Sequence, residues 1–205
     1  VPVLVDTPPP LEQVTYTSPA YDGVLFRLYW HANQWQASTT GQIYPTHGWG
    51  GKPFSTLFQD VLPQIDFTWL NRDWCYYVLM EHVEHTNIIS HPVTRGILTD
   101  IVTRTMPFAR LPLTAENTVG FPYVSVINPE GEQPVGWVYH LQDGTILRQE
   151  TVAFCRARAL KPNLPDVYAQ WIHLLVRPCP VLPGIMDMMV HAEEHIKEYL
   201  KRTNQ

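Results

Sequence analysis

Apolar and polar residues alternate along Phe26, Arg27, Leu28, Tyr29 and Trp30, a spacing that suits a half-buried strand. Residues 25–30 and 35–38 read as paired strands, turned at His31-Ala32-Asn33. Ahead of them Pro19 holds the chain extended, and Asp22-Gly23 marks a tight loop. From Phe54 the period changes. Apolar side chains at 54, 57, 58, 61 and 62 predict a core-facing helix, with Ser55 or Thr56 as its cap. The aromatic run 74–80 predicts a buried strand. Residues 96–106 fit either a short helix or another strand, 107–122 are loop-rich, and 123–127 form a further β-prone run before a turn at 128–131. Residues 164–176 and 185–200 read as helices kept apart by Pro178 and Pro180. The pattern divides the chain into an extended proline-rich arm (1–13), a β-rich domain (14–160) and a C-terminal helical segment (161–205), an α+β organisation.

Composition narrows the function classes. With 45% apolar residues, 19 prolines and 7 tryptophans among 205, a real core with many turns is expected. The net charge of -5 argues against broad, non-specific nucleic-acid binding, which rests on lysine and arginine contacts to phosphates, but leaves room for a local basic pocket. Cys75, Cys155 and Cys179 have no metal-like spacing and read as reduced thiols in an intracellular protein. No long apolar run or signal-peptide pattern is present, so no membrane partner is expected. A chain that begins without methionine reads as a fragment or a processed product.

Two histidine groups invite a metal reading. His82, Glu84 and His85 are ligand types, but on a strand His85 would face away from the other two. His191 and His195 share a helical face, yet Ala192 stands where His-Glu-x-x-His needs its glutamate. Both groups are read as polar residues without a metal.

The segment Ala20-Tyr21-Asp22-Gly23, with Arg27 four residues on, resembles the first motif of the covalent nucleotidyltransferases: ATP-dependent RNA ligases, DNA ligases and mRNA capping enzymes. That motif is Lys-x-Asp-Gly, and its lysine carries the nucleotide as a phosphoramidate. Here the lysine position is Ala20, and none of the four lysines stands before x-Asp-Gly. Further motifs follow in the family's order. Ser38, Gly41 and Ile43 partly match the second. Glu81 and Asn87 have the separation of the third, whose glutamate contacts the nucleotide sugar or assists metal binding in the family. Gly136, Trp137 and Val138 resemble the fourth, with Val135 in place of its metal-binding glutamate, and valine cannot ligate a hard cation. The fifth motif, Lys-x-Lys on the next strand, has two registers: Arg148 and Glu150, or Arg156 and Arg158, the latter preferred.

The resemblance implies two antiparallel sheets around a nucleotide cleft. It implies a wall built from Asp22, Gly23, Arg27, Glu81, Arg156 and Arg158, with ATP and Mg²⁺ as cofactors. It equally implies a lost reaction, because the nucleophile, the fourth-motif carboxylate and the fifth-motif lysines all depart together. The first reading is a catalytically degenerate RNA ligase-like domain, intracellular and of viral or phage-like origin. It would bind nucleotide or RNA ends, or serve as a structural module among protein partners in a larger assembly. The second is an active RNA ligase carrying a lysine-to-alanine change at position 20. The third is a structural or capsid-associated protein with no nucleotide function, which the acidic, proline- and aromatic-rich composition suits.

Overall fold

The computed structural model describes residues 2–46, 52–85, 87–89, 91–125 and 134–160. In chain order these form β1 (Val3–Val5), β2 (Val14–Ala20), β3 (Val24–His31), β4 (Gln34–Thr39), α1 (Phe54–Val61), β5 (Trp74–Glu81), β6 (Arg95–Thr103), β7 (Arg110–Leu111), β8 (Tyr123–Val124), β9 (Gly136–Leu141), β10 (Ile146–Glu150) and α2 (Val152–Leu160). The expected turn at 128–131, the helices over 164–176 and 185–200, and the pair His191 and His195 lie outside the described residues.

Among the described residues the strands make two sheets. One has the order β1-β10-β9-β2; the other runs β4-β3-β5-β6-β7, with β8 also pairing β6. Most pairings are antiparallel. Two at the margins are parallel, β1 with β10 and β8 with β6, so the sheets are mixed rather than purely antiparallel. Within the segment read as an arm, Val3–Val5 is thus a strand aligned with Leu147, Arg148 and Gln149.

The β3–β4 hairpin follows the alternation read from the sequence. Its turn has Ala32 at φ 48° and Asn33 at φ 62°, the positive-φ pair that matches the twist of a two-residue hairpin. Of residues 96–106, left open between helix and strand, 96–103 belong to the long strand β6, and 104–106 lie beyond its end. The helix from Phe54 forms where the period predicts it, but Pro53 holds its N-terminal position with no side-chain cap from Ser55 or Thr56.

The main core lies behind the larger sheet. Phe26 and Leu28 of β3, Tyr76, Val78 and Met80 of β5, and Leu98 and Ile101 of β6 are buried against Leu57, Phe58 and Val61 of α1. Burying side chains of this size contributes about 1.5–3 kcal/mol each. Strict alternation would not place Leu98 and Ile101 on one face. A bulge between the pairs Tyr77–Asp100 and Val78–Leu98 inserts Thr99, so both leucine and isoleucine turn to the helix while Thr99 and Asp100 turn away.

Two glycines are fixed by close approach. A Cβ on Gly23 would meet the Met80 carbonyl oxygen at 2.4 Å, and one on Gly136 would meet the Gln149 carbonyl oxygen at 2.0 Å. The glycines quoted for the first and fourth motifs therefore have packing reasons of their own.

Candidate functional site

The side chains that turn away from the core meet the smaller sheet across a cleft of about 580 Å³. The smaller sheet contributes Ser18 and Ala20 from β2, Val138 and His140 from β9, and Arg148 and Glu150 from β10. The larger sheet contributes Leu25 and Arg27 from β3, Tyr77 and Leu79 from β5, and Thr99 and Asp100 from β6. The loop from Ala20 to Val24 passes from one sheet to the other, which places the first-motif residues at the junction.

Asp22 ties this junction together. Its carboxylate is almost fully buried and accepts hydrogen bonds from the backbone N–H groups of Ile88 and Ile89, at 2.9 and 2.8 Å. Asn87 donates from Nδ2 to the Gly23 carbonyl at 2.8 Å. The segments read as the first and third motifs are thus physically joined, through Asp22 Oδ2 and the Gly23 carbonyl.

Ala20 is 2% exposed and packs in an apolar cluster with Val135 and Phe154, flanked by Ile88 and Val138. The Val135 N–H donates to the Ala20 carbonyl at 2.9 Å. The two positions that the sequence resemblance matched to a nucleophile and a metal-binding carboxylate thus share one apolar cluster. No lysine is among the described residues that line the cleft. An amine nucleophile for nucleotide transfer is absent from that lining.

Beside this wall the cleft is basic. Four arginines line it (Arg27, Arg110, Arg148 and Arg158) against three carboxylates (Asp22, Asp100 and Glu150), although the chain as a whole is acidic. Arg27 donates from Nη2 to the Thr39 carbonyl at 2.8 Å, so the loop read as the second motif positions it. Its Nε–H is buried without an acceptor among the described residues, as is that of Arg148. Arg148 Nε lies 3.3 Å from Glu150 Oε1, near enough for charge pairing but not aligned for a hydrogen bond. Burial lowers the Arg148 pKa from its ordinary value, against the opposing pull of Glu150 and Asp22.

The preferred fifth-motif register does not occur as a strand. Arg156 and Arg158 lie on α2, where residues two apart cannot share a face. Arg158 reaches the cleft and pairs with Glu150 at 2.8 Å, whereas Arg156 is exposed and outside the lining. The strand after the β9–β10 hairpin carries Arg148 and Glu150 instead, both directed into the cleft. Glu81 also lies outside the lining. It is buried at the end of β5 and paired with Arg95 at 2.6 Å, with His91 Nδ1 at 3.8 Å.

The residues do not form a metal centre of the kind weighed above. His82 is buried, holds Asp60 through Nε2 at 3.0 Å, and accepts the Glu84 N–H at Nδ1. Glu84 turns to the surface and pairs with Lys52, while the His85 ring stands edge-on to Phe54. Among the described residues no three His, Cys, Asp or Glu side chains converge to hold an ion. With Val135 in the apolar wall and Glu81 engaged by Arg95, the donors for a catalytic Mg²⁺ do not fit.

One end of the cleft was not legible in the sequence. His140 is buried, stacks on Tyr16 with ring centroids 4.0 Å apart, and lies 3.5 Å from Ser18 Oγ. Asp100 pairs with Arg110 at 2.6 Å beside it. Burial raises the Asp100 carboxyl above its ordinary range. His140 alternates with Val138 on β9, and that spacing could have flagged it; the bulge hides Asp100 from any such pattern.

Burial first, and then the Arg110 charge, push the His140 pKa down to about 4 from its usual 6.5. The unfolded chain therefore takes up this proton before the folded one does. The stability due to neutral His140 is fully present above pH 6.5 and drains away as pH falls towards 4. The expected loss is about 2 kcal/mol, after discounting for water that reaches the cleft. Urea midpoints of the native chain and His140→Gln, measured across this window, should show the pH slope shrinking in the variant. An unchanged slope would remove His140 as its source.

No known protein-family profile matches the chain, and no curated protein matches its sequence. Among solved structures, the fold is similar to a chain described as a putative ATP-dependent DNA ligase from Aquifex aeolicus. The identity is 15% and the TM-score 0.45, over 91% of this chain and 57% of that one. This chain spans somewhat more than half of that protein's length.

No described helix is long and apolar enough to cross a membrane.

Proposed function

We propose that this chain is a ligase-like nucleotidyltransferase domain without the covalent step, whose inter-sheet cleft binds a nucleotide or the phosphate-bearing end of an RNA. In this reading it serves a larger assembly as a binding module. The observation that carries the reading is the juxtaposition inside one cleft: an apolar wall of Ala20, Ile88, Val138 and Phe154, backed by Val135, beside Arg27 and Arg148. An apolar wall suits the flat face of a base. Arginines suit a phosphate, which they grip through paired N–H donors without needing to exchange a proton. The buried Nε–H groups of Arg27 and Arg148 lack acceptors among the described residues. Unmade bonds of this kind cost about 1–3 kcal/mol each, and an oxyanion drawn between the two side chains, after a small adjustment, would supply them.

The mutual packing of Ala20 and Val135 disfavours the alternative in which a single lysine of a working ligase was replaced. A lone substitution would leave a polar socket with a carboxylate facing it. Here the opposite side of the socket is valine.

Calorimetric titration of the full chain with nucleoside mono- and triphosphates, with and without Mg²⁺, tests the reading. Saturable binding that does not require Mg²⁺ is expected. Arg27→Gln should weaken it about tenfold, the scale of one charge-assisted hydrogen bond. Arg27→Lys, which keeps the charge but not the fork, should be intermediate, with folding of both checked by circular dichroism. If no nucleotide gives heat at millimolar concentration, the cleft is not a nucleotide site.

A further inference from the structure

We propose that Glu150 sets the ligand class of the cleft by acting as a built-in anion, so that the site takes a ligand with a single phosphoryl group and rejects a triphosphate. The inference rests on the nucleotide-cleft reading above and sharpens it.

Glu150 ends β10 on the face turned into the cleft, two residues after Arg148. Its side chain is only 5% exposed, yet it carries a carboxylate. That carboxylate spans two arginines from different elements. Oε2 accepts from Arg158 Nη1 of α2 at 2.8 Å, and Oε1 faces Arg148 Nε of the same strand at 3.3 Å. One oxygen pair thus occupies the ground between two cations, where a phosphate chain would otherwise settle.

The consequence is a matter of counting charge locally. Arg158 is neutralised by Glu150 outright and Arg148 in part. Arg110 is neutralised by Asp100 at 2.6 Å. The third carboxylate, Asp22, is held by the backbone N–H groups of Ile88 and Ile89, which leaves Arg27, bound to a neutral carbonyl, together with the Arg148 Nε–H that has no acceptor among the described residues. That is enough for one phosphoryl group, which brings about -1.5 to -2 charges at neutral pH. Each further phosphoryl group adds negative charge against the Glu150 carboxylate in a partly desolvated site, where like charges are strongly disfavoured. A nucleoside monophosphate and the 5′-phosphate of an RNA strand present the same terminal chemistry, so both satisfy the argument.

The experiment compares AMP, ATP and a short 5′-phosphorylated RNA with its 5′-hydroxyl counterpart, by calorimetry on the full chain and on Glu150→Gln. In the native chain AMP should bind more tightly than ATP. In Glu150→Gln the preference for ATP over AMP should rise by about tenfold or more, the factor expected from removing one facing like charge. Arg158→Gln, at a side chain 41% exposed and therefore mild for folding, should move the preference the other way, because Glu150 then loses its main neutralising partner. A 5′-phosphate requirement in the RNA pair assigns the site to strand ends. Binding of AMP but neither RNA assigns it to the free nucleotide. If native protein binds ATP as well as AMP, and neither variant changes the ratio, Glu150 does not set the ligand class although the cleft still binds nucleotide. If no phosphorylated compound binds native protein or variants, both this inference and the nucleotide reading fall.

Discussion

Ala20→Lys is expected to leave the chain without nucleotidyl transfer activity and to destabilise it by about 3 kcal/mol or more, because the longer side chain overfills a packed cluster and brings a charge into it. At this chain length that corresponds to a fall in melting temperature of roughly 6–12 °C. The reason is specific to the site. Ala20 is 2% exposed and packs with Val135 and Phe154, so a lysine there must disturb this cluster or lead its ammonium into the cleft, where Asp22 and Glu150 are already engaged by other groups. Ala20→Met separates the two contributions: it has nearly the same length without the charge, and should cost about 1–3 kcal/mol. Incubation of Ala20→Lys with ATP or GTP and Mg²⁺, read by intact mass, should show no added nucleotide. A covalent adduct would mean that the catalytic apparatus is intact but for one residue, and the non-covalent reading would be abandoned. A lysine variant as stable as the native chain would mean that the wall is not packed as described.

The second large effect is expected away from the cleft. Arg95→Met should cost about 3–5 kcal/mol in urea denaturation, because it removes one half of a charge pair whose two side chains are each 7% exposed. The loss should be greatest near neutral pH and narrow on acidification. The penalty belongs to the ionised carboxylate that has lost its arginine, so it is largest above the carboxylate range and fades as such groups are protonated. The double variant Glu81→Gln with Arg95→Met should recover much of the loss, since a neutral amide leaves no charge to compensate. Equal destabilisation at pH 4 and pH 7 would show that Arg95 acts through packing near Tyr21 and Tyr123 rather than through its charge.

These two sites show how far the sequence could be read. The strand pattern from Phe26 to Trp30 and the helix from Phe54 were legible because each buries one face, and a one-faced element writes its period into the chain. The linkage of Asp22 to the 87–89 loop was not legible, because it joins segments more than sixty residues apart. Glu81 was read as a site residue from the third-motif resemblance; its pairing with Arg95, fourteen residues on, is invisible in one dimension because it forms through the β5–β6 register. Thr99 and Asp100 were hidden by the bulge, which suspends the period-two rule where it would have placed them. Residues 156 and 158 were read as strand from spacing, against local evidence. Alanine and arginine recur there as helix formers, and Thr151 offers its hydroxyl to the Phe154 N–H at 3.2 Å, the bond of a helix cap. Propensity, which the motif argument overrode, was the better guide at that point.

The three-residue strand β1 bears on solubility. It lies at the margin of the smaller sheet and covers the backbone of β10, which also carries Arg148 and Glu150. Its own outer rim is brief and bracketed by Pro2 and the run Pro8–Pro9–Pro10, residues that cannot donate to a ladder. A second molecule approaching this rim finds too few donors to extend the sheet. The strand that covers β10 thus also blunts this margin of the sheet against self-association, and both tasks fall to a segment whose proline content gives little hint of a strand.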